Sequence, residues 1–323
     1  MKKNKLGVVF VLLLLLLSAF LSGLIVYETG SLVFDVSMQV STNEDDSLES
    51  KIPYLKKHGL IVSEFKQQYS FYKVQIKSSL DGHMIPGDLI STDGNKKRDT
   101  VIMVHGLNGN RYSLYTHARI FLDMGYNVLV YDQRSSGENT APYNTYGVWE
   151  QYDLSDAVQY MHHLTNGKRK IGIWGTSMGG ATACIYLGRE EANLLIDFVV
   201  LDCPLSSMRY KIQEGLKEVS FDISNDYMLM AGSAVTQMRL GFEYKDAEVC
   251  QYLTDTAVPV LVLNSKADIV TPYFMGKDIY EAVPHHKKKL FTVSDSRHTQ
   301  VVYDYPKECT QVITAFIRQF AGK

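Results

Sequence analysis

Ser177 is the residue of this sequence whose neighbours best fit nucleophilic chemistry. It stands in the run GTSMGG, residues 175–180. The pattern G-x-S-x-G holds a serine on a tight turn between a strand and a helix, where flanking glycines avoid clashes and the hydroxyl stands free. The pattern alone is weak, but here it follows an apolar run at 171–174 and precedes a helical pattern at 181–189. The helix directs its N-terminal N–H groups toward developing negative charge, so these residues indicate a serine nucleophile.

The elements that must position this serine alternate between strand and helix patterns. Six short apolar runs have strand length and lie at residues 100–104, 126–131, 171–174, 198–201, 258–263 and 290–293. Helical patterns lie between or after them at residues 115–124, 151–164, 181–189 and 310–320. An alternating segment at 71–76 ends near Asp81-Gly82, which resembles the opening of a hairpin. Repeated strand–helix–strand units predict a doubly wound, mostly parallel sheet, whose functional groups collect at the carboxyl ends of the strands.

Three glycine-containing blocks follow predicted strands. They are HGLNG at 105–109, DQRSSG at 132–137 and GTSMGG at 175–180. In this order they resemble the serine aminopeptidase and monoglyceride-lipase-like branch of the α/β-hydrolase superfamily, from about residue 71 to the C-terminus. The resemblance implies the α/β-hydrolase fold but names no substrate, because this fold hosts many chemistries. Ser135 stands where family members often have glycine, a departure that we expect the loop to tolerate.

The resemblance also implies the order of a catalytic triad along the chain, which is Ser, then Asp or Glu, then His. Asp268 follows the fifth apolar run and precedes a Thr-Pro pair, as the family's acid does. Asp202, after the fourth run, is the alternative, because some hydrolases carry their acid there. His298 follows the sixth run and is the histidine downstream of Asp268 that lies just past a strand.

Each of these residues then has an expected role. His298 takes the proton of Ser177 and returns it to the leaving group, while Asp268 holds the imidazole in the required tautomer. The backbone N–H groups of Leu107 and Met178 are expected to form the oxyanion hole. His105 belongs to the His-Gly block, which the family uses structurally.

Residues 205–255 have helical patterning and are rich in methionine and aromatic residues. Those singled out are Met208, Tyr210, Phe221, Tyr227, Met228, Leu229, Met230, Met238 and Phe242. In this fold an insertion at this point usually forms a small helical cap over the serine. Such side chains suit an adaptable apolar acyl pocket, although packing of the cap onto the body is the alternative.

Residues 6–27 predict a membrane-inserting helix. They carry no charge, are almost wholly apolar and follow a head with three lysines. About 22 residues suffice to cross a hydrocarbon core of about 30 Å. The lysines should remain in the cytoplasm, which places the rest of the chain outside a cell membrane that it crosses once. A cleaved signal and secretion are the alternative, with Thr29-Gly30-Ser31 as a weak cleavage site.

The sequence therefore divides into three parts. Residues 1–27 form the anchor or signal segment, and 28–65 are a tether and lead-in that includes the acidic run 41–50. Residues 66–323 form an α/β-hydrolase domain with a helical cap at about 205–255. The content of hydrophobic residues, 46%, and the net charge of −2 are typical of a globular chain and do not indicate a nucleic-acid partner.

The sequence contains no pattern typical of a metal or cofactor site. Its four cysteines, Cys184, Cys203, Cys250 and Cys309, form no C-x-x-C pair, and we expect free, mostly buried thiols. The histidines show no H-E-x-x-H or comparable ligand spacing. We expect neither a metal nor a cofactor.

The function favoured by these observations is hydrolysis of carboxylic esters of small-molecule acyl substrates through an acyl-enzyme. A peptidase, amidase or acyltransferase on the same triad is the first alternative. A non-catalytic surface-binding protein on a hydrolase fold is the second, and the complete set of Ser177, Asp268 and His298 argues against it. The sequence leaves the oligomeric state open.

Overall fold

The computed structural model describes residues 2–38, 47–217 and 223–322. The chain divides into two compact units. The first, here the helical unit, comprises Met1–Gln39 and Arg209–Asp246. The second, here the sheet unit, comprises Val40–Met208 and Ala247–Lys323.

The sheet unit is built on one eight-stranded sheet. Its strands are β1 (Ser70–Lys77), β2 (Met84–Ser91), β3 (Thr100–Val104), β4 (Asn127–Tyr131), β5 (Ile171–Thr176), β6 (Phe198–Asp202), β7 (Val260–Ser265) and β8 (Lys288–Val293). The order across the sheet is β1-β2-β4-β3-β5-β6-β7-β8. β1–β2 and β2–β4 are antiparallel, and every later pair is parallel. The predicted doubly wound, mostly parallel sheet is confirmed.

Helices connect successive strands within the sheet unit, and further helices form the helical unit. The described residues form α1 (Lys2–Met38), α2 (Leu48–Lys57), α3 (Val62–Gln68), α4 (Tyr115–Asp123), α5 (Glu150–Leu164), α6 (Met178–Leu187), α7 (Glu190–Leu195), α8 (Met208–Lys217), α9 (Asn225–Leu240), α10 (Tyr273–Ala282), α11 (Val301–Asp304) and α12 (Pro306–Phe320). Strands β3 to β7 are buried along their whole length, as expected of strands covered on both faces. The four cysteines are free thiols, three of them buried, as expected.

Strand β2 is absent from the elements predicted above. Its sequence, MIPGDLIS, contains Pro86 and Gly87, which are depleted in strands. Gly87 pairs with Tyr131 of β4, and a Cβ there would lie 2.8 Å from the carbonyl oxygen of Val130. Glycine at position 87 therefore allows β2 to approach β4 closely. The same residue interrupts the run of apolar side chains by which a strand is predicted from sequence.

In the helical unit, α1 extends past the predicted apolar segment 6–27 and packs on α9. The exposed part of α1 is apolar on every face, and Gly7–Met38 is a candidate membrane span by length and composition, with mean hydropathy 2.9. Near its end, Val33, Phe34 and Met38 are buried. Gly30 lies against Ala231 of α9. Helix α1 therefore extends beyond residue 27 because its C-terminal part packs on α9.

Some predicted features lie partly outside the described residues. The tether at 41–50 is described only from Ser47, whose Oγ accepts a 3.2 Å hydrogen bond from the backbone N–H of Ser50 at the start of α2. Phe221, counted among the cap residues, lies outside the described ranges. The described part of 205–255 contains helices α8 and α9.

Candidate active site

Ser177 lies on the turn between β5 and α6 with a strained backbone. Its φ is 54° and its ψ is −116°, a region that non-glycine residues rarely adopt. The turn is held from both sides, because the Ser177 N–H donates to the carbonyl oxygen of Asp202 at 2.9 Å. The Ser177 carbonyl in turn accepts from the N–H groups of Gly180 at 2.9 Å and Leu205 at 3.0 Å. The sheet thus fixes the position of the serine hydroxyl.

Glycines allow the backbone to close around this turn. A Cβ on Gly179 would lie 2.6 Å from the carbonyl oxygen of His105, and one on Gly175 would lie 2.6 Å from the carbonyl oxygen of Gly179. A Cβ on Gly106 would lie 3.1 Å from the Cβ of Ser177. The glycines of the first and third blocks are therefore required by close contact.

The structure brings Ser177, His298 and Asp268 together. His298 Nε2 lies 2.9 Å from Ser177 Oγ, and His298 Nδ1 lies 2.7 Å from Asp268 Oδ2. The three residues follow β5, β8 and β7, so each lies at the carboxyl end of a parallel strand. With Nδ1 donating to the carboxylate, Nε2 is free to accept the serine proton.

The Asp268 carboxylate is held by its own loop. Its Oδ1 accepts from the backbone N–H groups of Val270 at 2.8 Å and Thr271 at 3.0 Å. Burial alone would raise the pKa of the Asp268 carboxyl, but His298 and these two N–H groups lower it below its ordinary value. The carboxylate is therefore ionised at neutral pH and can stabilise a positive charge on His298.

Thr271 is a site residue to which the sequence assigned no role. Its Oγ1 lies 3.0 Å from Asp268 Oδ2, from His298 Nδ1 and from the carbonyl oxygen of Cys203. It ties the acid loop to the end of β6 and to the imidazole. The Thr-Pro pair after Asp268 is the sequence signal for this residue, although by itself it indicates only the position of the acid.

Asp202, the alternative acid, lies beside His117, whereas His298 is hydrogen-bonded to Asp268. Its side chain is fully buried, and His117 Nε2 lies 3.8 Å from its Oδ2. Burial raises the pKa of the Asp202 carboxyl to about 7 and lowers the pKa of the His117 imidazole to about 4. Among the described residues, the carboxylate hydrogen-bonded to His298 is that of Asp268.

The two residues predicted to supply the oxyanion hole both lie near Ser177. Met178 is the first residue of α6, directly after Ser177, and Leu107 lines the cavity beside the serine. The loop that carries Leu107 is held by His105, whose Nδ1 donates to the carbonyl oxygen of Gly106 at 2.8 Å. His105 Nε2 accepts from the backbone N–H of Gln133 at 3.0 Å, so this histidine links the first two blocks.

The second block, residues 132–137, forms further buried contacts within the sheet unit. Asp132 accepts from the backbone N–H of Arg111 at 2.8 Å and forms an ion pair with its guanidinium. Ser135, which replaces the usual glycine, has a φ of 55°. The left-handed conformation costs a non-glycine residue about 1–2 kcal/mol. The surrounding buried loop holds Ser135 in this conformation.

A cavity of about 430 Å³ opens at Ser177 and His298, and we call it the Ser177 cavity. It lies within the sheet unit and is lined by fourteen residues, most of them polar. Three of these, Ser50, Lys51 and Tyr54, belong to α2. The sequence assigned α2 no part in the site.

Cys203, Asp268 and His298 form one grouping whose ligand atoms lie within 4.8 Å of one another. Two of these residues are already joined by the 2.7 Å hydrogen bond. Burial raises the pKa of the Cys203 thiol well above its ordinary value and so disfavours the thiolate that a metal needs. The donor set fits a catalytic acid–base pair better than a metal site.

Comparisons with known proteins agree with this fold. A family model described as the alpha/beta hydrolase fold matches residues 99–222. The uncharacterized protein YqkD of Bacillus subtilis (strain 168) is 28% identical over 200 residues, which cover 62% of this chain and 65% of that protein. Human phospholipase ABHD3 is 24% identical over 249 residues, covering 62% of this chain and 60% of that protein. Both matches thus span less than two thirds of the relative's length.

Solved structures show the same architecture. The esterase Pf2001 of Pyrococcus furiosus aligns with a TM-score of 0.62 at 22% identity, covering 81% of this chain and 96% of that one. This chain therefore has the α/β-hydrolase fold, which the three sequence blocks predicted, and the phospholipase relative fits the lipase-like branch.

Proposed function

We propose that this protein is a serine hydrolase that cleaves carboxylic esters of small-molecule acyl substrates through an acyl-enzyme. The observation that carries the proposal is the continuous chain from Ser177 Oγ to His298 Nε2 at 2.9 Å and from His298 Nδ1 to Asp268 Oδ2 at 2.7 Å. This is the geometry required of a nucleophile, a base and an orienting group.

The reaction would proceed in two halves. His298 Nε2 takes the proton of Ser177 as Oγ attacks the ester carbonyl, and the same proton passes to the departing alcohol. A water molecule, deprotonated by His298, then attacks the acyl-enzyme and releases the acid and the free serine. Asp268 stays ionised and stabilises the imidazolium formed in each half.

The negative oxygen of each tetrahedral intermediate needs donors that are already in place. We assign this role to the backbone N–H groups of Met178 and Leu107, because one begins the helix after Ser177 and the other lines the cavity beside it. Removing one such donor in other enzymes costs about 10²–10³ in kcat. Backbone donors do not depend on side-chain identity. Substitution of Leu107 therefore tests the packing of its side chain, not the hydrogen bond from its backbone N–H to the negative oxygen.

Ester rather than amide chemistry is favoured by what the relatives are named. The aligned Pyrococcus furiosus protein is an esterase, and the human relative is a phospholipase. A panel of p-nitrophenyl esters set against aminoacyl p-nitroanilides tests this choice. We expect turnover of the esters and its loss in Ser177→Ala. Turnover of the anilides alone would instead identify a peptidase or amidase.

We further propose that α1 anchors the protein in the cell membrane, with residues 66–323 as an extracytoplasmic hydrolase domain. The uncharged segment 6–27 has spanning length, and its lysine-bearing head would stay in the cytoplasm. Protease added to intact spheroplasts should degrade the domain in an anchored protein. Full protection would place the domain inside, whereas a shortened N-terminus in the mature protein would identify a cleaved signal.

A further inference from the structure

The hydroxyl of Thr271 lies against the hydrogen bond that joins the proposed acid to the proposed base. Its Oγ1 is 3.0 Å from Asp268 Oδ2 and 3.0 Å from His298 Nδ1. His298 Nδ1 is in turn 2.7 Å from Asp268 Oδ2, so the three atoms form a closed triangle. Each side of this triangle is short enough for a hydrogen bond. Thr271 therefore contacts both partners of the bond that orients the imidazole.

Thr271 also contacts both oxygens of the Asp268 carboxylate. Its backbone N–H donates to Oδ1 at 3.0 Å, and its Oγ1 lies 3.0 Å from Oδ2. Thr271 is itself buried, with 4% of its surface exposed. Contacts at both oxygens fix the rotation of the carboxylate about its Cβ–Cγ bond, and Oδ2 is thereby held toward His298.

The numbers of donors and acceptors limit how the protons of this triangle can be arranged. A hydroxyl carries one proton, whereas an ionised carboxylate and a carbonyl oxygen only accept. When His298 Nε2 is free to take the proton of Ser177, Nδ1 carries a proton and donates it to Asp268 Oδ2, its nearer partner. The proton of Thr271 then has two possible acceptors, Asp268 Oδ2 and the carbonyl oxygen of Cys203, each at 3.0 Å.

The charge of Asp268 decides between these two acceptors. Burial of its side chain, which is 1% exposed, opposes ionisation, but contacts with His298 and two backbone N–H groups lower its pKa below the ordinary value. Asp268 is therefore an ionised acceptor, whereas the Cys203 carbonyl is a neutral one. Hydrogen bonds with an ionised group are about twice as strong as those between neutral groups. The proton of Thr271 is thus directed to Asp268 Oδ2.

We propose that Thr271 is a positioning residue that donates its hydroxyl proton to Asp268 Oδ2, holds the carboxylate against His298 and weakens the attraction of the carboxylate for the imidazolium. The inference rests on the proposed ester hydrolysis and adds a residue that acts on it through Asp268. Thr271 takes no part in bond making. A carboxylate oxygen that shares its charge with two donors attracts a positive imidazole less strongly than one that serves a single donor.

Other titratable groups surround His298 and are the same in all the variants compared below. Some lie behind the triad, some belong to the loop that carries His298, and some line the Ser177 cavity. Among the described residues they are, in that order, Cys203 and Asp202, Asp295 and Arg297, and Lys51, Tyr54 and His117. Because none of them is replaced, a change in the pH dependence of Thr271 variants reports the hydroxyl itself.

The pH dependence of kcat/KM for p-nitrophenyl butyrate tests the proposal in the full-length protein. Thr271→Val and Thr271→Ala both remove the hydroxyl, whereas Thr271→Ser keeps it. The control is Thr165→Val, which removes a buried hydroxyl at the end of α5 that donates to the carbonyl oxygen of Met161 at 2.8 Å. Thermal melts of each variant show that it is folded at the assay temperature.

Loss of the hydroxyl should let His298 keep its proton to higher pH. The acidic limb of the profile should therefore move upward by about 0.5–1 pH unit in Thr271→Val and Thr271→Ala. The kcat on the plateau should fall by about fivefold, the kinetic equivalent of one hydrogen bond. Thr271→Ser should keep the wild-type profile, and Thr165→Val should keep it even where it melts earlier.

Two results would overturn the proposal. An acidic limb that moves downward would mean that the hydroxyl accepts from His298 instead of donating to Asp268. An acidic limb that stays in place in both Thr271→Val and Thr271→Ala would reduce Thr271 to a structural residue. In either case the wild type still hydrolyses the ester, so the proposed function stands. A wild-type protein that cleaves no ester would instead refute the proposed function, and this inference with it.

Discussion

The Nδ1 atom of His298 lies 2.7 Å from Oδ2 of Asp268, at the carboxyl end of the sheet. Asp202, at the end of the neighbouring strand, is fully buried and faces His117 at 3.8 Å. The two carboxyls therefore differ in the direction of their pKa shift. Contacts with His298 and the backbone lower the pKa of Asp268, whereas burial raises the pKa of Asp202 to about 7.

The difference between the two carboxyls predicts that catalysis requires Asp268 and not Asp202. Asp268→Asn should lower kcat by about 10³–10⁴, because asparagine can hold His298 in the wrong tautomer. Asp202→Asn should stay within about tenfold of the wild type, because Ser177 is bonded to the Asp202 backbone rather than its side chain. Hydrolysis of p-nitrophenyl butyrate below both melting temperatures measures this, with circular dichroism to confirm folding. An inactive Asp202→Asn and an active Asp268→Asn would mean that the acid lies on the earlier strand.

Asp202 should also make stability depend on pH. Well below pH 4 its carboxyl is protonated in both the folded and the unfolded chain. As the pH rises toward 7, the unfolded chain ionises while the folded chain keeps the proton, so the free energy of unfolding falls. The decline attributable to this group is at most about 1.4 kcal/mol per pH unit.

Urea unfolding of the wild type and Asp202→Asn between pH 4 and 7.5 isolates this contribution. The wild type should lose stability relative to the variant as the pH rises, and the difference should level off above pH 7. A difference that is constant with pH would show that Asp202 is ionised in the folded protein.

Close contact at the serine turn should make Gly179 intolerant of a side chain. A Cβ there would lie 2.6 Å from the backbone oxygen of His105, so Gly179→Ala should cost at least about 1–3 kcal/mol and misplace Ser177. Gly215 of α8 is the matched control, because a Cβ there meets no atom of the described residues within 4 Å. Gly215→Ala should be stabilising by about 0.5–1 kcal/mol. Thermal melts compare them, and equal effects would contradict the packing described at the turn.

The end of α1 should matter for folding separately from its membrane segment. A chain lacking residues 1–27 should leave the membrane fraction and retain the packing of Val33, Phe34 and Met38. In that chain, Phe34→Ala should destabilise the helical unit by about 3–5 kcal/mol. Val36→Ala, at a position 76% exposed, should have little effect.

The rate of limited proteolysis within α9 measures how well the end of α1 packs on this helix. Faster cleavage in Phe34→Ala than in Val36→Ala is expected. Equal rates would mean that the contact between α1 and α9 does not stabilise the helical unit, and retention of the truncated chain in membranes would refute the anchor.

The sequence predicted the parts of the site that depend on local pattern. Ser177, Asp268 and His298 each follow a strand at the carboxyl edge of the sheet, so their order and strand context placed them. It did not predict β2, because Pro86 and Gly87 break the apolar pattern of a strand. It also assigned no role to Thr271, because the contacts of this residue with Cys203 and His298 depend on packing between segments that are distant along the chain.

Mass spectrometry of the protein labelled with a fluorophosphonate decides whether Ser177 is the nucleophile, because the probe reacts with activated serines and its site can be located. We expect one modified peptide, carrying the label on Ser177, and no label in Ser177→Ala or in heat-unfolded protein. The same variant should retain the wild-type fold but less than a tenth of the esterase rate. Labelling of another serine, or ester hydrolysis that persists in Ser177→Ala, would contradict the assignment of Ser177 as the nucleophile.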